Sequence, residues 1–148
     1  MFSRLMPARS KPYRQFARQA LVKTTSSATP TQTHVADAFR TLRERLKRTL
    51  VPVFGPVAVE ALFERSVHLV NDEFHWLAVA MSSSGDKVPD VSRIPGGATA
   101  ENVLEALTAV LAYDIGLLVE FVGEDLILPL VHKAWGPIGR LPTRGESD

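Results

Sequence analysis

Residues 99–122 read Thr-Ala-Glu-Asn-Val-Leu-Glu-Ala-Leu-Thr-Ala-Val-Leu-Ala-Tyr-Asp-Ile-Gly-Leu-Leu-Val-Glu-Phe-Val, and this stretch decides the fold class. Leu104, Leu107, Leu111, Leu118 and Val122 recur at helical intervals over a span too long for a strand. Thr99 is a suitable N-cap, since its hydroxyl can accept from an orphaned first-turn N–H, and Gly123 suits the C-terminal stop. The spacing predicts a long helix from Thr99 to Val122. Asp114 interrupts the apolar stripe. A carboxylate there must be paired, neutralised or near water, so it is either a structural partner for a base or an acid in a pocket.

Working toward the N-terminus, Ser82–Ala98 holds Ser-Ser-Ser-Gly, two prolines and Gly-Gly, and predicts one long crossover loop. Before it, Val59, Leu62, Phe63, Val70, Phe74 and Leu77 predict a helix over 56–80, with Pro56 at its first position. Val35, Phe39, Leu42, Leu46 and Leu50 predict a helix from an N-cap near Thr33, stopped by Pro52. After residue 123 a shorter helix is expected over 124–135, starting later or kinked because of Pro129. Strand readings of 51–53 or 126–131 are isolated. The fold class is therefore all-α: a small bundle of three to four helices with one long crossover, preceded by a basic flexible arm.

Charge divides the chain in the same places. Residues 1–35 carry six basic groups and no acidic one, against a formal net charge of +1 for the whole. The expected organisation is a basic, largely disordered arm and linker over 1–33, a helical domain over 34–135 and a flexible tail over 136–148. Tyr13, Phe16, Ala17, Ala20 and Leu21 lie at helical spacing within the arm, but a helix that short is marginal alone in water. Arg14 and Arg18, with Phe16 and Leu21 beside them, make the arm a candidate for surface attachment to an anionic membrane, and phosphate contacts would suit nucleic acid. The same acid-free composition fits an organelle transit peptide in a eukaryotic source; otherwise an intracellular, cytoplasmic protein is expected. The absence of cysteine excludes disulfides, thiolate metal sites and thiol nucleophiles.

Residues 36–50 hold five basic groups against two acidic ones, and residues 100–131 hold six acidic groups and no basic one. An electrostatic seam between those two helices is expected, with Arg40, Arg43, Arg45, Lys47 and Arg48 as candidate partners for Asp114. Ala109, Ala112 and Gly116 would let another backbone come close, either within the bundle or from a second copy of the chain.

Glu60, Glu64, His68, Asp72 and His75 return to one face of the predicted second helix. Asp72 and His75 have the i, i+3 spacing by which one helix offers two metal ligands, which makes His68, Asp72 and His75 the candidate metal set. Asp114, His68 and His75 are the candidate ligand-binding residues. No phosphate loop, nucleophile elbow or zinc-protease pair is present in the sequence, no catalytic residue is assigned, and no cofactor is indicated. The residues name no substrate. They fit a non-enzymatic helical interaction or regulatory module with a protein partner, self or heterologous. The alternative is a small ligand- or metal-binding protein with its site between the second and third predicted helices.

Overall fold

The structure, a computed structural model, describes residues 2–82, 91–95 and 97–136, with side chains over 12–81, 92–95 and 97–136. The described residues are all-helical, without a strand. Six α-helices follow in order: α1 (Phe2–Thr25), α2 (Gln32–Phe54), α3 (Pro56–Asn71), α4 (Leu77–Ser82), α5 (Ala100–Val122) and α6 (Glu124–Trp135). A short 3-10 turn, Val91–Arg93, precedes α5.

The helix over 100–122, α5, is the centre of the molecule. Its N-terminus is closed by a reciprocal box: the Asn102 N–H donates to Thr99 Oγ1, and the Thr99 N–H donates to Asn102 Oδ1, each at 3.0 Å. Val103, Leu104 and every residue from Ala106 to Leu118 are buried. The stripe reading was too narrow, because Ala106, Ala109, Val110, Ala112, Ile115 and Leu117 are apolar on the other sides as well. A helix that is apolar all round must be covered all round. By length and composition α5 also meets the requirement for a membrane span, yet 83% of its apolar window is buried against the rest of the chain.

The cover comes from α1, α2, α3 and α6, and α1 makes the most extensive contact. The arm expected to be largely disordered is thus a helix that forms part of the core. Tyr13, Phe16, Ala17, Ala20 and Leu21, the residues at helical spacing, are all buried. The marginal stability of a lone helix does not decide the outcome when its apolar face is buried by a neighbour. The directions are antiparallel: Arg18 pairs with Glu101 at the start of α5, while Tyr13 reaches Glu124 just past its end. Phe16 stacks on Trp135 with ring centroids 5.7 Å apart, and the Trp135 indole N–H donates to the Leu42 carbonyl at 2.9 Å. One aromatic contact therefore ties α1, α6 and α2 together. Ala109, Ala112 and Gly116 are buried inside the single chain, which removes them as a seam for a second copy.

Several boundaries differ from expectation for local reasons. The N-cap of α2 is Thr31, not Thr33, because His34 completes a capping box with it: His34 Nδ1 accepts from the Thr31 N–H at 3.1 Å. Pro52 does not stop α2; the carbonyl left without a donor is that of Arg48, and both residues lie on the exposed face. The helix ends instead at Gly55, whose φ of +87° disfavours any side chain. The predicted second helix is divided. Asn71 Oδ1 accepts from the Ala78 N–H at 3.0 Å, capping α4 across a turn, while the Glu73 and Phe74 N–H groups fold back to the Val70 carbonyl. α6 runs through Pro129, whose missing donor again falls on an exposed face.

Of the predicted long loop, residues 83–90 and 96 lie outside the described residues, as does the tail over 137–148. Its described end is anchored: Ile94 is buried and the Gln32 side-chain amide donates to the Ala98 carbonyl at 2.6 Å.

Candidate functional site

Asp114 lies at the heart of the core, fully buried, and its partner is Arg43 from α2. The pair is bidentate: Arg43 Nε donates to Oδ2 and Nη2 to Oδ1, both at 3.0 Å. Nη2 also donates to the Phe63 carbonyl at 2.9 Å, and the guanidinium lies 4.1 Å from the Phe63 ring centroid and 5.2 Å from that of Phe39. Burial pushes the Asp114 carboxyl above its ordinary value, while Arg43 and the Ser66 hydroxyl pull it back. Arg43 Nε and Nη2 and both carboxylate oxygens of Asp114 have partners in the protein, and the cluster joins α2, α3 and α5. Its geometry is that of a structural lock: a buried bidentate pair that ties three helices.

The expected seam between α2 and α5 reduces to this one pair among the described ion pairs. Arg40 pairs within α2 to Glu44, and Lys47 reaches Glu60 of α3. The acidic body is met instead by the arm, through Arg18 to Glu101 at 2.8 Å and Arg14 to Glu73 at 3.6 Å. Exposed pairs of this kind contribute only ~0–1 kcal/mol each, so they orient α1 rather than hold it.

The other candidate residues are scattered. His68 lies on α3, Asp72 is its C-cap and His75 sits in the following turn, so the single helical face that grouped them does not exist. All three are exposed, and no set of three metal-ligating side chains comes together among the described residues. Both histidines are at the surface, whereas Asp114 is in the core. Phe16 and Leu21, expected to insert into a membrane, are in the core at 4% and 0% exposure. Arg14 and Arg18 remain partly exposed.

Tyr13 reports directly on how the arm is held. Its hydroxyl donates to Glu124 at 3.4 Å, and burial, followed by the nearby carboxylate, pushes its pKa up to about 12. The folded protein keeps this proton between about pH 10 and 12 while the unfolded chain loses it. Stability from this group is therefore complete below pH 10 and falls as pH rises through that window. An alkaline absorbance titration is expected to show a phenol ionising near pH 12, and Tyr13→Phe should abolish that step. A Tyr13 that titrates near 10 would mean an undocked arm.

Two surface features were not anticipated. The first is an apolar groove of about 390 Å³ lined by Phe54, Ala58, Ala61, Leu62, Leu118 and Phe121, with Arg65 at its side. It sits where α2, α3 and α5 come together, and five large apolar side chains are exposed along these helices and the start of α6: Val53, Val57, Phe121, Val122 and Leu126. The signal was in the sequence, since Val57 and Phe121 fall off the core stripes of their helices. The second is a groove of about 390 Å³ between α1, the α3–α4 turn and α5, lined by Arg14, Arg18, Glu73, Phe74, Glu105 and Thr108. Periodicity gave no sign of it, because it depends on where the arm docks.

No protein-family model, no curated protein and no solved structure matches this chain.

Proposed function

We propose that this protein is a non-enzymatic interaction module that associates with a second copy of itself through the apolar end face. One observation carries the reading: Phe121, 72% exposed, lines a recess together with alanine and leucine, and Val57, 82% exposed, directly precedes the lining residue Ala58 on α3. A contiguous apolar surface of this kind is the usual mark of an association site. A projecting aromatic next to a recess is what a two-fold contact needs, because each copy supplies both parts. The surroundings carry both signs, Arg65 lining the groove and Asp125 three residues after Val122, so a symmetric contact can pair opposite charges. Asp114, by contrast, is consumed by Arg43.

The finer architecture follows from the same reading: α1, α2, α3, α5 and α6 act as one bundle whose far end is the binding surface. Sedimentation of the full chain is expected to show a concentration-dependent dimer. Phe121→Glu together with Val57→Asp, both at exposed positions, should return a folded monomer with unchanged helix content. A wild-type chain that stays monomeric at high concentration would defeat the proposal.

A further inference from the structure

We infer that the groove between α1, the α3–α4 turn and α5 binds a small zwitterion of the α-amino-acid type. This inference is independent of the end face, which lies elsewhere on α5. Arg14 and Arg18 are one helical turn apart on α1 and both line the groove; Arg18 is paired with Glu101 at 2.8 Å and Arg14 with Glu73 at 3.6 Å, each through Nη2, so each guanidinium keeps further N–H donors for a ligand carboxylate. Opposite them stand Glu73 and Glu105. Glu105 has no hydrogen-bond or ion-pair partner among the described residues, and Glu73 is held only loosely, at 3.6 Å from Arg14. A pure anion would be drawn by the arginines and repelled by these two carboxylates. A ligand with a carboxylate and an ammonium group satisfies both sides. Phe74 supplies an apolar wall, edge-on to Trp76 with ring centroids 6.3 Å apart, against which a ligand side chain can rest.

Thr108 adds an independent observation. It is 6% exposed, and its Oγ1 is the one buried side-chain polar atom among the described residues without a hydrogen-bond partner. Such an orphan costs stability unless something answers it. Thr108 lines the groove, which places a ligand seated there beside the unanswered hydroxyl.

The test uses the full chain and isothermal titration with the individual free L-α-amino acids. Acetate and inorganic phosphate serve as anion-only probes, and ethylammonium as a cation-only probe. At least one amino acid is expected to bind saturably, with acetate, phosphate and ethylammonium at least tenfold weaker. Glu105→Gln and Arg18→Gln should each weaken binding by about tenfold, as for a lost charge-assisted bond. Thr108→Val should weaken it about fivefold while raising the melting temperature of the unliganded protein, since the orphaned hydroxyl is gone. Absence of saturable binding to any amino acid overturns the proposal. So does phosphate binding as tightly as the amino acid, or affinity unmoved by Glu105→Gln and Arg18→Gln. The rise in melting temperature with Thr108→Val shows the variant to be folded, so its loss of affinity is not a loss of structure.

Discussion

A chain lacking residues 1–30 is expected not to fold into a native domain. Removing α1 strips α5 of its most extensive cover, leaves Trp135 without the Phe16 ring, and takes away a Tyr, a Phe and a Leu that are 5% exposed or less. Burial of a large apolar side chain contributes ~1.5–3 kcal/mol, and the apolar surface uncovered on α5 adds to the loss. The total is comparable to the ~5–15 kcal/mol by which a whole domain is stable. The truncated chain should show reduced helix content, loss of cooperative melting and exposed apolar surface by dye binding. The single change Phe16→Ala is the gentler version, with an expected loss of ~3–5 kcal/mol in chemical denaturation. If the truncated protein melted cooperatively near the temperature of the full chain, the arm would be an accessory to the domain.

The second large effect is expected at the lock in the core. Asp114→Ala leaves the Arg43 guanidinium buried without its charge partner, and breaking one side of a buried pair costs ~3–5 kcal/mol. Arg43→Met should cost a similar amount by stranding the carboxylate, although the burial that already raises the Asp114 pKa lets protonation relieve part of it. The informative variant is the double one. Arg43→Met with Asp114→Leu replaces two desolvated charges by apolar groups, and such replacements are often neutral or stabilising. The double variant should therefore recover most of the stability lost by either single one. Additive losses in the double variant would mean that the two side chains do not act as a pair.

The sequence made α2, α5 and α6 legible through their apolar repeats, and the ends of α5 through Thr99 and Gly123 as well; the cap and stop of α2 lay elsewhere than Thr33 and Pro52 suggested. It also made Asp114 stand out, since a carboxylate inside a leucine stripe is costly wherever it lands, and Arg43 was among the cations expected to answer it. The division of the predicted second helix was not legible. It rests on Asn71 capping α4 seven residues ahead, a side-chain bond that periodicity does not register. The larger miss was the arm. Its basic charge and Thr/Ser-rich connection resemble a flexible extension, whereas its apolar residues matter only once α5 is seen to be apolar on every side. Ala106, Ala109, Ala112 and Ile115 outside the main stripe were the available sign, because three neighbouring helices would leave that side bare. The charged groove escaped the sequence for a related reason, since its walls come from helices that meet only in the folded chain, whereas the apolar groove left a sign in the off-stripe Val57 and Phe121.

Native-state hydrogen exchange on the full chain is the most direct measurement of whether α1 belongs to the folded domain. Amides from Arg14 to Leu21 are predicted to exchange with protection close to that of Leu104 to Leu118, since both segments can open only when the core does. Rapid exchange of 14–21 beside a protected α5 would contradict the account.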